Sequence, residues 1–448
     1  NSVTSTSATT VTNTLDATEL TVKKAWDDDQ DKWGLRDKVS GSSDWTTTFY
    51  LQRSTDGSTW EYVTKENGDR VKSVTVTGAE GANEATNTFK NLPAYDEHGV
   101  EYRYRAVEVV PGGYSLDGAI VDGLDKGHAA VTGDSSASNG SGEADQTFTN
   151  KLETITLSGK KAWNTFGATG LVPGDANNDD TPDKIPTLAL ERTTAEDPSA
   201  ENATWENVTA IAGQPAWTWG QDSWKWTYDG TDKASDLPKY DGDGKAYTYR
   251  VSETAGSVPG FYPTYEGGGT TTGPATADGD GNQTASTITN VATRFSLDKV
   301  SDYEGDTTPL CNVELSVMSM DGATTYAVWT NGADGKTPSA RVWMSGTTVT
   351  DTSAEGYVAP TYATTDGSII GLPAGNYLVR ETGTVPDGYA LAPDVTFHIN
   401  ADGSATQATN VSTATEDGVK TITVKVTDPV FRGHVELAKT VTGASSEA

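Results

Sequence analysis

Apolar and polar residues alternate with a period of two along most of this 448-residue chain, and helical periodicity is nearly absent. That pattern predicts strands throughout and an all-β protein. Four lysines break the alternation in the same way. Leu20 and Val22 lead to Lys24, Leu157 and Gly159 to Lys161, Phe295 and Leu297 to Lys299, and Val435 and Leu437 to Lys439. Successive side chains of a strand point to opposite faces, so each lysine points with its apolar neighbours toward a core. The same parity selects Lys24 over Lys23 and Lys161 over Lys160. A lone buried ammonium is costly unless it is paired or neutralised.

The four lysines lie 137, 138 and 140 residues apart, and the blocks around them repeat. The first copy reads LTVKKAW, then NLPAYDEHGVEYRYRAVEVVPGGY, then QTFTN; the second reads LSGKKAW, then DLPKYDGDGKAYTYRVSETAGSVPGFY, then STITN. A third, more distant copy reads FSLDKV, then GLPAGNYLVRETGTVPDGY, then ITVKVTD. Such a period predicts a tandem array. We assign residues 19–150, 151–290 and 291–430 to three repeats. Residues 1–18 match the closing strand of a preceding repeat, and 431–448 the opening strand of a following one. The chain thus reads as a cut from something longer. The links between a closing residue and the next lysine are only about ten residues, which predicts stiff stacking of the domains.

Composition narrows the picture. A formal net charge of −31 argues against nucleic acid as a partner, because phosphate binding needs clustered basic residues. The 12 Trp, 18 Tyr and 8 Phe suffice to anchor several small cores. One cysteine, Cys311, excludes an intrachain disulfide framework. No stretch approaches the roughly 20 apolar residues of a membrane helix, and no signal peptide is visible.

Each repeat adds two further polar residues on core-facing positions. Glu108, Glu253 and Glu381 share a strand face with Tyr104 and Ala106, Tyr249 and Val251, and Tyr377 and Val379. Asn150, Asn290 and Asp428 share one with Phe148, Ile288 and Val426. Burial lowers a lysine's pKa and raises a glutamate's. A neutral amine is a nucleophile, and a protonated carboxyl can polarise an amide carbonyl. The amine then attacks the Asn side-chain carbon, Glu shuttles protons and ammonia leaves; with Asp428, water leaves. Proximity in a dry, rigid site supplies most of the acceleration, with proton transfer adding to it. The plainer reading is an uncondensed buried ion pair, or a lysine snorkelling to the rim.

These blocks resemble the collagen-adhesin B-type (Cna-B) domains of Gram-positive surface adhesins and pilins. The resemblance rests on KAW followed by WDDDQDKWGLR, the LPxYD turn, the YxYRxxE strand, the PGGY or PGFY end and the closing TN. It implies tandem immunoglobulin-like or prealbumin-like β-sandwiches. It also implies spontaneous isopeptide bonds Lys24–Asn150, Lys161–Asn290 and Lys299–Asp428, promoted by Glu108, Glu253 and Glu381; the third repeat departs from the pattern in having Asp. The function implied is a structural stalk segment of an extracellular, cell-wall-anchored adhesin or pilin. It would be no enzyme beyond a single-turnover cross-linking of itself, and its partners would be neighbouring repeats. No LPxTG sorting motif lies within this sequence, so anchoring rests on the resemblance.

The remaining signals are weaker. Asp175, Asn177, Asp179 and Asp180 alternate oxygen ligands that suit Ca2+, but Asp180 stands where an EF-hand needs glycine and Pro186 where it needs glutamate. A solvated acidic loop, with no cofactor, is the simpler reading. Trp217, Trp219, Trp224 and Trp226 alternate along a hairpin. They either stack on a glycan, in a module that binds host matrix or sugar, or plug a sandwich edge. The DSSAS run at 134–138 lacks the context of a metal-dependent adhesion site. Cys311 reads as a core cysteine in a strand. The four histidines show neither metal-ligand spacing nor a triad context, which leaves a conventional hydrolase without a constellation. Asn13 and Lys439 lack partners in the sequence. They belong to missing domains or pair between chains.

Overall fold

The computed structural model describes residues 16–64, 72–132, 145–174, 184–218, 224–229, 237–303, 310–433 and 435–440. Strands dominate, and they fall into three successive sets of facing sheets. In the first set, one sheet runs in the order Glu84–Pro93, Ala17–Asp27, Gln146–Leu152, Tyr114–Leu116. The other is built on Trp45–Ser54 and Arg103–Val109. Leu20, Val22 and Phe148 from the first sheet and Phe49, Leu51 and Ala106 from the second are all essentially inaccessible. Phe49 and Phe148 meet edge to face with centroids 4.8 Å apart. This is a β-sandwich whose two inner faces interdigitate.

The second and third sets repeat the plan. Leu157–Asn164 lies beside Ile288–Ala292, and Arg294–Ser301 beside Val419–Asp428. Thr248–Glu253 and Gly375–Glu381 belong to the facing sheets. In every set the opening and closing strands are parallel neighbours. A parallel pair needs a long crossover, and here the rest of the domain serves as that crossover.

One tyrosine on each glutamate strand ties down the loop before it. Tyr104 OH donates to Pro93 O (2.7 Å), Tyr249 OH to Pro238 O (2.7 Å) and Tyr377 OH to Pro373 O (2.8 Å). Each tyrosine is four residues before its glutamate and on the same face, so the bond helps fix the register of the strand that carries the site.

The sheets change hands between Leu152 and Thr154 and again between Ala292 and Arg294. A single residue spans each junction. Glu153 N–H donates to Gly113 O (2.9 Å) and its carbonyl accepts from Lys239 N–H (2.8 Å). Thr293 N–H donates to Gly260 O (2.9 Å) and its carbonyl accepts from Gly371 N–H (2.7 Å). The backbone of each connecting residue is therefore held by both neighbouring domains. Residues 435–440 pair with no strand among the described residues, and Val435 and Leu437 are exposed.

Candidate functional site

Each sandwich brings together one lysine, one glutamate and one Asn or Asp. The register is identical in all three. Lys24 stands opposite Phe148, Lys161 opposite Ile288 and Lys299 opposite Val426, so Asn150, Asn290 and Asp428 lie two residues further along the neighbouring parallel strand, on the same face. Glu108, Glu253 and Glu381 reach the same point from the facing sheet. Each trio thus sits between the two sheets, on rigid elements.

In the first domain Lys24, Glu108 and Asn150 are completely buried. Lys24 Nζ lies 3.5 Å from Glu108 Oε1, and Asn150 Nδ2 donates to the same oxygen (3.1 Å). Lys24 Nζ also donates to Ala25 O (2.8 Å) and Phe148 O (3.3 Å) and sits 3.9 Å from the centroid of the Trp26 ring. Burial pulls the lysine down to about 8, although Glu108 opposes the shift. Burial likewise pushes Glu108 up to about 7 against the pull of Lys24. The two therefore titrate close together, near neutrality, as one coupled pair.

The second domain repeats this arrangement. Lys161 Nζ is paired with Glu253 Oε2, and Asn290 Nδ2 donates to Glu253 Oε1 (2.9 Å). Burial draws Lys161 down to about 8. Ser257 Oγ donates to Glu253 Oε1 (3.3 Å), and Glu253 N–H donates to Tyr265 OH (2.7 Å).

In the third domain Lys299 Nζ contacts both carboxylates, Glu381 Oε2 at 3.2 Å and Asp428 Oδ1. The Lys299 side chain is 1 % exposed. Ala392 N–H donates to Glu381 Oε2 (3.0 Å). Burial raises the Asp428 pKa, and neighbouring Glu381 adds to the rise while Lys299 opposes it.

The polar atoms left unpaired mark what the site can do. Asn150 Oδ1, Asn290 Oδ1, Asp428 Oδ2, Glu108 Oε2 and Glu381 Oε1 are buried without a hydrogen-bond partner. A buried carbonyl oxygen without a donor costs about 1–3 kcal/mol. A protonated glutamate supplies that donor once the Asn amide turns over, since only the acid form carries an O–H. The geometry thus suits the neutral pair, amine plus carboxylic acid, that an acyl transfer to lysine requires.

Other sequence candidates fall elsewhere. Trp224 and Trp226 are 3 % and 0 % exposed and belong to the core. A covered ring offers no face to a sugar, so these two are corrected from ligand candidates to packing residues. Trp217 is half-buried on the adjacent strand, opposite Trp226. Trp219, the acidic residues Asp175, Asn177, Asp179 and Asp180, the DSSAS run and Asn13 lie outside the described residues. Among the described residues no group of three or more His, Cys, Asp or Glu could hold a metal ion. Cys311 stands in a turn, half-buried, ahead of the strand Glu314–Met318 rather than inside it. Lys439 is exposed.

One buried cluster was not read from the sequence. Arg36 and Asp28 are 2 % and 6 % exposed and form an ion pair beside Trp26. Tyr114 OH donates to Asp28 Oδ2 (2.8 Å), and Arg36 also donates to Ala82 O (2.8 Å) and Asn83 Oδ1 (3.0 Å). The pair acts on Lys24 electrostatically, Asp28 raising its pKa and Arg36 lowering it. The loop that holds Asp28 and Arg36 passes through three left-handed residues in a row, Asp29, Gln30 and Asp31. Such a run is rare for residues with a Cβ, and no periodicity announces it.

Two family models match the chain. Residues 205–291 match the Cna protein B-type domain, and residues 293–413 match the SpaA prealbumin-like fold domain. No curated protein sequence matches. Among solved structures, the Bacillus anthracis TIE protein is 13 % identical, covering 92 % of this chain and 51 % of its own, with a TM-score of 0.30. Two B repeat units of the collagen-binding protein Cna of Staphylococcus aureus are 14 % identical, covering 93 % and 76 %, at 0.23. A streptococcal ancillary pilin is 15 % identical, covering 92 % and 99 %, at 0.26. The chain spans about half the length of the TIE protein structure. No helix among the described residues is long and apolar enough to cross a membrane. The second sandwich thus matches the Cna protein B-type domain and the third the SpaA prealbumin-like fold domain, side by side along the chain.

Proposed function

We propose that this chain is a structural stalk segment of a wall-anchored surface adhesin or pilin of a Gram-positive bacterium, in which each sandwich staples its own first and last strands together. The observation that carries the reading is the threefold recurrence of one buried trio in one register. In the neutral pair, Lys24 Nζ attacks Asn150 Cγ while the Glu108 O–H hydrogen-bonds to Oδ1. The proton lost from Nζ passes through Glu108 to Nδ2. One C–N bond forms, one breaks, ammonia departs and no electrons change hands. Lys161, Glu253 and Asn290 follow the same course. For Lys299 and Asp428 the leaving group is water, and Asp428 must carry a proton to react. Its raised pKa serves that need.

The product replaces two costly buried groups with one neutral amide. It joins parallel neighbours at opposite ends of the domain, so a pulling force runs through a covalent bond and not through the sheet. In the chain-entropy model used for disulfides, a cross-link over a loop of this length is worth about 4–5 kcal/mol. The kinetic gain is larger, because neither terminal strand can peel away while the amide holds.

Intact mass of the fully denatured chain tests the proposal. It should fall short of the sequence mass by two ammonias and one water. A mass equal to the uncondensed sequence would overturn it.

A further inference from the structure

The second domain supplies its whole trio, but the stretch that flanks the trio also touches the third domain. The short strand Phe261–Thr264 pairs antiparallel with the closing strand and sets Pro263 directly opposite Asn290. Thr264 Oγ1 donates to Thr289 O (3.1 Å), and the next residue, Tyr265, accepts the Glu253 N–H through its buried hydroxyl (2.7 Å). One five-residue stretch therefore holds the backbones of both Asn290 and Glu253.

The other side of that stretch rests on the third domain. Lys420 N–H donates to Tyr262 OH (2.7 Å), and Lys420 Nζ lies 5.5 Å from the centroid of the Tyr262 ring. Tyr262 is 2 % exposed, and its ring lies so close to Gly403 that a Cβ there would collide with it. Gly260 meets Gly371 in the same manner, backbone to backbone. A cleft of about 900 Å³, walled by Tyr262–Thr270 on one side and by Asp402, Thr415, Asp417, Gly418 and Lys420 on the other, reaches Glu253. The first domain shares the close glycine approach, Gly112 meeting Gly242 and Gly244 of the second domain backbone to backbone, but differs at the tyrosine. Its corresponding strand, Tyr114–Leu116, also pairs with the closing strand and sets Leu116 opposite Asn150, but Tyr114 OH donates to Asp28 of its own domain.

We infer that the third domain is the positioning partner of the second domain's cross-linking site: docking against Tyr262 seats the stretch Phe261–Tyr265, and Tyr265 in turn is a positioning residue for Glu253. The inference rests on the cross-linking reading above and adds to it an order of maturation, in which the second domain closes its bond only after the third has folded against it. A free strand end would let Glu253 and Asn290 drift, and drift of about an ångström is enough to cost orders of magnitude in a proximity-driven reaction.

The test uses the full chain and maps each bond by peptide mass spectrometry over a time course after purification. Three variants are compared, Gly403→Val, Tyr262→Phe and Tyr265→Phe. Gly403→Val wedges the Tyr262 ring out of its seat, and second-domain condensation should slow at least tenfold. Tyr262→Phe and Tyr265→Phe keep the rings and remove only the hydroxyls, and should slow it severalfold. A purely packing role predicts no change for either phenylalanine variant. The bonds of the first and third domains should be complete in all three, which also reports that the third domain has folded. Complete second-domain bonds in every variant, at the rate of the unaltered chain, would overturn the inference while leaving self-cross-linking intact. An unaltered chain without the Lys161–Asn290 bond would overturn both.

Discussion

The first and third domains place the same lysine and glutamate in the same register but offer the amine different electrophiles. In the first, one carboxyl serves one amine and one amide, and Glu108 keeps an oxygen without a partner. In the third, two carboxyls compete for Lys299, and Ala392 N–H donates to Glu381. Burial, with neighbouring Glu381 adding to it, raises the Asp428 pKa, so the third pocket's electrophile is itself a titrating acid where the first pocket's is an amide. In the proposed cross-linking, the shared scaffold sets where a bond would form, and the proton inventory of each pocket would govern how readily.

The largest effect expected from breaking this comparison comes from deleting the acid. Glu108→Ala should leave the first domain uncondensed, so that its mass gains one ammonia beyond that expected for the substitution itself. Its melting transition should fall by roughly 15 °C for the loss of a cross-link worth about 4–5 kcal/mol. Glu381→Ala should retain one water in the third domain. Differential scanning calorimetry beside intact mass checks both.

Exchanging the electrophile should be next in size. Asp428→Asn gives the third domain the first domain's chemistry, with a single carboxyl left in the pocket. Its bond should form faster than in the parent, followed as the third-domain cross-linked fraction over time. An unchanged rate would show that the Asp is no handicap.

A pH series on an uncondensable first domain sharpens the comparison further. In Asn150→Ala, Lys24 and Glu108 remain as a titrating pair. Glu108 holds its proton in the folded state up to about 7 but only to 4.5 when unfolded, so its contribution is present below 4.5 and is lost as pH rises through about 7. Lys24 is depressed to about 8 from 10.5, so the unfolded chain binds more protons between those values and stability rises again above about 8. Urea midpoints should therefore pass through a minimum between about 7 and 8, relative to the parent chain. The smallest effect concerns what the domains share: Tyr104→Phe and Tyr377→Phe each remove one hydroxyl bond to a proline carbonyl and should cost about 1 kcal/mol apiece.

Much of the site was legible because strand parity is strict. A period of two placed Lys24, not Lys23, toward the core, and it placed Glu108 and Asn150 there too; all three are fully buried. The closing residue's offset of two along a parallel neighbour was not legible, because pairing register depends on both sheets. The ion pair of Arg36 and Asp28 was hidden for a different reason: a left-handed loop carries it into the core, and no repeating pattern encodes such a loop. The tryptophan hairpin showed the limit of periodicity. Alternation put Trp224 and Trp226 on one face without saying whether solvent or a second sheet lay beyond, and the answer was the core.

Self-stapling is tested most directly by tandem mass spectrometry of a complete protease digest. The account predicts three branched peptides, joining the segments around Lys24 and Asn150, Lys161 and Asn290, and Lys299 and Asp428. Recovery of those six segments only as separate linear peptides would contradict it.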